Sequence, residues 1–142
     1  NTMATRDRRR YSAATIATIN TTSTSDAYVI APVNGKLSAA LFSAIDALAA
    51  HGSNYITFSI TNLGQAGAGS NAMLLASDAN TTKTTTGSAI AANTKRTLTL
   101  NTDASKRAVQ AGDRLRIRAT ATGTLANTVT GANFLLTFDK EV

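Results

Sequence analysis

From Lys36 to Phe138 the chain is a succession of short runs in which apolar and small polar residues alternate, each run closed by Gly, Asn or Asp. Successive side chains of a strand point to opposite faces, so this period of two predicts half-buried β-strands. The clearest is Tyr55-Ile56-Thr57-Phe58-Ser59-Ile60-Thr61, which puts Ile56, Phe58 and Ile60 on a core face. Arg114 to Thr120 and Asn133 to Asp139 alternate in the same way. Ala27 to Ile30 reads as a short strand stopped by Pro32, and Val33-Asn34-Gly35-Lys36 as a hairpin turn, Asn-Gly being the strongest two-residue signal for one. Leu37 to Ile45 is expected as a strand, although the Ala/Leu content of Leu41 to Ala50 would also suit a helix. Met73 to Ala76, Ser88 to Ala91 and Lys95 to Leu100 are expected as further strands, with a polar connection from Asp78 to Gly87. Asp103 is placed to cap one helical turn that Ala111-Gly112 ends.

About eight strands at spacings near ten residues predict an all-β fold, a single-domain antiparallel β-sandwich of jelly-roll or Greek-key type. The 142 residues suit one domain and one core. Apolar residues make up 43% of the chain and charged residues 15%, a globular composition with a bland, Thr-rich surface. There is no Cys, which excludes a disulfide scaffold and thiolate metal sites. The longest apolar-leaning stretch, Leu37 to Ala50, is broken by Ser38, Ser43 and Asp46, so a soluble protein with no membrane partner is expected.

Charge changes the picture at one end. Of fourteen Lys and Arg, four fall within five positions, as Arg6, Arg8, Arg9 and Arg10, followed by Tyr11. Residues 1–25 combine this run with a Thr/Ser-rich stretch whose side-chain volume is too small to offset its ordering entropy. They are expected as an extended basic N-terminal arm, ordered by contacts outside its own sandwich, with residues 26–142 forming the sandwich domain. Arg6, Arg8, Arg9, Arg10 and Tyr11 are the candidate partner-binding residues. Arg114, Arg116 and Arg118 share one strand face at a spacing of about 7 Å and form a possible second basic patch. Its bland alternative is a solvated face or a charge-defended edge. Nucleic acid is the other partner that clustered arginines suit, but Tyr11 alone is thin for a stacking platform.

Nothing nominates catalysis. Gly67-Ala68-Gly69-Ser70-Asn71-Ala72 matches the dinucleotide fingerprint formally, yet no amphipathic helix follows and no ribose-binding acid stands about 20 residues on. His51 is the only His and reads as a turn residue; G-x-S-x-G and H-E-x-x-H are absent. The eight acids are scattered apart from Asp139/Glu141, with no calcium loop. No enzyme activity, catalytic residue, cofactor or metal is expected. The sequons at Asn20 and Asn80 are what chance gives in a chain rich in Asn and Thr.

Three stretches carry a likeness: Tyr28-Val29-Ile30-Ala31-Pro32-Val33-Asn34-Gly35-Lys36-Leu37, the strand from Tyr55 to Asn62, and Val109-Gln110-Ala111-Gly112-Asp113-Arg114-Leu115. Together they resemble the small jelly-roll decoration (cement) proteins of tailed bacteriophage capsids, over about residues 27–138. The resemblance implies a structural virion protein on the capsid exterior, often trimeric, seated at junctions between major capsid protein subunits and stabilising the head. The basic arm is outside the shared pattern. The alternative from another class is a carbohydrate- or receptor-binding β-sandwich of a tail fibre or surface protein, against which the few aromatics outside the core, Tyr11, Tyr28 and Tyr55, count. A small coat protein whose arm binds packaged genome is a third reading.

Overall fold

The computed structural model describes residues 8–141. Its strands are β1 (Arg9–Ile19), β2 (Thr24–Ile30), β3 (Gly35–Ser43), β4 (Tyr55–Asn62), β5 (Asn71–Ala72), β6 (Arg96–Thr97), β7 (Ala108–Val109), β8 (Arg114–Thr122) and β9 (Val129–Lys140). One sheet runs β1-β9-β3-β6, with β7 also paired to β3, and the other runs β2-β8-β4-β5. The pairs are antiparallel. From β1 to β4 each strand lies in the sheet opposite its predecessor, as do β8 and β9. That winding is a jelly roll, the expected architecture.

Alternation decides which side chains meet between the sheets. In β4, Ile56, Phe58 and Ile60 are buried; in β8, Leu115, Ile117 and Ala119; in β9, Phe134, Leu136 and Phe138. Phe42 and Phe134 from one sheet close on Phe58 from the other, at ring-centroid distances of 4.8 Å for Phe42–Phe58, 5.2 Å for Phe42–Phe134 and 6.3 Å for Phe58–Phe134. Each such side chain contributes about 1.5–3 kcal/mol by leaving water. The three rings tie the sheets together at mid-height.

Three expectations need correction. Residues 9–19 do not belong to a separate arm: they are β1, paired with β9 from Arg9↔Asp139 to Ile19↔Val129, and the boundary expected at residue 25 falls inside β2. Pairing with β9 supplies the backbone partners, and Ile16 and Ile19 reach the core, so the contacts that order this stretch are with its own sandwich. Residues 1–7, Arg6 among them, lie outside the described residues.

Asn34-Gly35 does not close a hairpin. It carries the chain from β2 in one sheet to β3 in the other. The glycine has a different use here: a Cβ at Gly35 would collide with the Asp139 carbonyl oxygen, so only glycine lets β3 approach β9 at this point.

The strands expected at 73–76, 88–91 and 95–100 shrink to the two-residue β6 and the single bridges Leu74↔Leu100 and Leu48↔Ile90. Side chains replace the ladder there. The Asn80 amide donates to the Leu75 and Thr99 carbonyls at 2.8 Å each and accepts from Thr99 N–H at 2.7 Å. Thr82 Oγ1 accepts from Ile56 N–H at 2.8 Å. Arg96 donates to the carbonyls of Ser88, Ala79 and Thr81. The Asp103 cap forms as expected, its carboxylate accepting from Ser105 N–H at 3.0 Å, but the turn is a 3-10 turn over Ala104–Arg107 that ends before the expected Ala111-Gly112, because Ala108–Val109 pairs with β3 as β7.

Candidate functional site

Where β1 begins, its arginines enter a register that gathers charge. Arg9 pairs with Asp139 of β9, and Asp139 with Lys36 of β3. A cleft of about 540 Å³ opens here, its charged lining being Arg8, Arg9, Lys36, Lys140, Asp139 and Glu141. Four cations face two carboxylates, so the end is net basic. Arg10 is half-buried and donates from Nη1 to the Arg9 carbonyl at 2.9 Å. Tyr11 stands 58% exposed, across from Thr137. Arg107, on the turn beside the cleft, donates from Nη1 to the Leu37 carbonyl at 3.0 Å. Of the five candidate partner-binding residues, Arg8, Arg9, Arg10 and Tyr11 are therefore contiguous at one end of the sandwich.

The second patch is on the other sheet. Arg114, Arg116 and Arg118 alternate with buried Leu115 and Ile117 along β8, as expected, and point away from the core. Each is held differently. Arg118 grips Asp26 on β2 with two parallel bonds, Nε to Oδ1 at 2.8 Å and Nη2 to Oδ2 at 2.9 Å. The hydrogen bond from Arg118 holds the Asp26 carboxyl below the usual carboxylate range and raises the guanidinium in return. Arg114 lies over the Tyr28 ring, 4.1 Å from its centroid. Arg116, between Tyr28 and Thr61 in register, has a buried Nε with no hydrogen-bond acceptor among the described residues. The arginines of β1 and those of β8 belong to different sheets, so they do not form one site.

The two outer stretches of the phage-protein likeness fold against each other. Ala31 N–H donates to the Asp113 carbonyl at 2.8 Å, Gly112 N–H to the Ala31 carbonyl at 2.9 Å, and Ala111 N–H to Asn34 Oδ1 at 2.8 Å. Asp113 is the hub of this corner, accepting on Oδ2 from Asn62 at 2.9 Å and from Gln110 N–H at 2.8 Å, and on Oδ1 from Gln65 at 3.3 Å. Burial pushes its carboxyl up, and the three hydrogen bonds together outweigh burial and leave it below the usual range. Sequence reading missed this hub and the Asp26–Arg118 and Tyr28–Arg114 pairs, because each depends on a cross-strand register that only the β2–β8 and β4–β8 pairings define. His51 is a turn residue as expected, its Nδ1 accepting from the N–H groups of Ser53 and Asn54 at 3.0 Å each. Asn80 is 1% exposed with its amide donating to two carbonyls, which removes it as a glycan acceptor in the folded chain. Among the described residues, no group of three or more His, Cys, Asp or Glu could hold a metal ion, and no helix is long and apolar enough to cross a membrane.

Neither a family model nor a curated protein matches this chain. It is similar to a chain in the structure of the infectious bursal disease virus Gx strain, at 13% identity and a TM-score of 0.45, with 94% of this chain and 33% of that one covered. A chain in the Gt strain structure of the same virus gives 14% identity and a TM-score of 0.44, covering 94% of this chain and 34% of that one. The present chain thus spans about a third of the length of the chains it matches.

Proposed function

We propose that this chain is a structural virion protein that decorates the outer surface of a capsid, seated as a homo-oligomer, a trimer by analogy with the proteins it resembles, at junctions between major capsid protein subunits. The observation that carries the reading is the basic end of the sandwich: Arg8, Arg9 and Arg10 enter β1 beside Lys36 and Lys140, with Tyr11 exposed next to them. A rigid β-scaffold that projects guanidinium groups from one end suits docking onto carboxylates of a protein lattice, through charge-assisted bonds. Repeated junctions let a symmetric oligomer multiply weak contacts, and binding only the assembled lattice stabilises it by mass action.

The test is co-sedimentation with capsid particles across a salt series, using wild type and a variant with Arg6, Arg8, Arg9 and Arg10 all replaced by Ala. Wild-type binding is expected to weaken as salt rises, since exposed charge pairs are screened over about 8 Å at 0.15 M, and the variant to show lower occupancy at every salt concentration. Equal binding by both proteins with no salt trend would overturn the assignment of these residues. A variant that keeps its particles but loses DNA would mark the basic end as a genome-binding element instead.

A further inference from the structure

The outer face of the second sheet carries an interaction surface separate from the basic end of β1. Along β2, β8 and β4 the face carries Arg114, Arg116 and Arg118 against the single carboxylate of Asp26, which pairs with Arg118 and also attracts Arg116. Arg114 is pre-positioned, its guanidinium stacked 4.1 Å from the centroid of Tyr28, so little further side-chain entropy is lost when it bonds. Arg116 is half-buried on the same face; its Nε, enclosed by the protein and without an acceptor among the described residues, is out of a ligand's reach, which leaves the outer end of the guanidinium to bond. Beside them on β2 stand two large apolar groups open to solvent, Tyr28 at 44% and Ile30 at 57% exposure. In register, Tyr28 lies across from Arg116 and Ile30 across from Arg114. Tyr, Arg and an exposed aliphatic packed together are the composition of a protein–protein interface centre, not of a solvated face.

We propose that Tyr28, Ile30, Arg114 and Arg116 form a docking surface for an acidic protein segment that presents carboxylates on alternate residues. The spacing argues for this occupant. Arg114 and Arg116 are two residues apart on one strand, about 7 Å, the distance between alternate side chains of an extended partner. Each guanidinium would then take one carboxylate, and an apolar side chain of the partner would rest on Ile30 and the exposed part of Tyr28. Nucleic acid fits less well: two cations neutralise few phosphates, a face of the Tyr28 ring is covered by Arg114, and Ile30 has nothing to offer a phosphate. The proposal stands whether or not the chain decorates a capsid.

Amide NMR of the isotope-labelled full chain tests it directly. The probes are a blocked peptide alternating Glu and Thr, its Gln/Thr counterpart, and an oligothymidylate. The acidic peptide is expected to shift the amides of Tyr28, Ile30, Arg114 and Arg116, the Gln/Thr peptide to leave them still, and the Arg114→Gln/Arg116→Gln double variant to bind the acidic peptide at least tenfold more weakly. An Arg8→Ala/Arg9→Ala/Arg10→Ala variant is expected to bind it as wild type does, which separates this surface from the basic end. The spectrum of the double variant reports its own folding, and the wild-type titration decides the matter if that variant fails to fold. Shifts confined to other residues, no shifts at all, or a stronger response of the same amides to oligothymidylate would overturn the proposal.

Discussion

Asp113 shows how much of the fold a single carboxylate can hold. Its side chain joins the end of β4 through Asn62, the loop after it through Gln65 and the approach to β8 through Gln110, while its carbonyl takes the N–H of Ala31 after β2. Replacing it with Asn would turn an NH2 group toward donors in a site only 7% exposed. A buried donor left without a partner costs about 1–3 kcal/mol, and each kcal/mol moves the melting midpoint of a chain this size by roughly 4 °C, so Asp113→Asn is expected to melt roughly 4–12 °C lower. The pH dependence has a definite sign. The Asp26 and Asp113 carboxyls sit below the usual range in the folded chain, so the unfolded chain binds protons more readily. Their stabilisation is full above the unfolded carboxylate pKa of about 3.9 and is lost as pH falls through the lower folded values. Circular dichroism melts from pH 7 down to pH 2 check both points: the acid loss in midpoint is expected to be smaller in Asp113→Asn than in wild type. An equal acid loss would assign the effect to the other carboxylates.

Among the elements, β3, β4, β8 and β9 were legible because bulky apolar residues alternate there with polar ones, and the Asp103 turn because its cap is a local device. β1 was not, for a physical reason: Ser12-Ala13-Ala14-Thr15 alternates with almost no volume contrast, the bulky Tyr11 before it faces solvent, and the two residues that enter the core, Ile16 and Ile19, are three apart and break the period of two. The excursion from 63 to 107 was read with the wrong strands because Asn80, Thr82 and Arg96 satisfy its backbone from side chains, which no alternation reports. The arginines of the candidate surfaces were legible as charge, whereas their division into neutralised, stacked and acceptor-free members required the register of β2 on β8. If β1 is an integral strand, deleting residues 1–8 leaves its pairing with β9 and its core residues Ile16 and Ile19 in place and is expected to preserve cooperative unfolding. Deleting residues 1–19 removes Ile16 and Ile19, about 1.5–3 kcal/mol each, and uncovers the edge of β9. Against a total stability of about 5–15 kcal/mol that loss is expected to abolish cooperative unfolding, and a well-dispersed amide spectrum from the shorter chain would contradict the role given to β1.

At the scale of the molecule, the sandwich keeps two of its four edge strands short and leaves two, β1 and β2, longer. β5 and β6, at the outer ends of the two sheets, are two residues long, the short-edge device that prevents strand addition. β1 is an edge of eleven residues with arginines only at its start, and from Tyr11 to Thr18 it carries neither Pro nor charge. Its outward face continues across Leu135 of β9 and Leu41 of β3, which pair with Ala13 and with each other. A long, uncharged edge beside an apolar strip is a surface that a second copy can cover, and contacts of unlike surfaces that close by rotation form rings. The proposed trimer would use this side of the molecule, leaving the basic end free for a lattice. Multi-angle light scattering over a concentration series is expected to give a mass three times that of the 14.7 kDa chain, and Ala13→Lys, which places a charge in the strip, to shift the population toward monomer without changing the circular dichroism spectrum. A monomeric mass at every concentration, or a trimer indifferent to Ala13→Lys, would remove this edge from the assembly and leave the basic end to dock as a single copy.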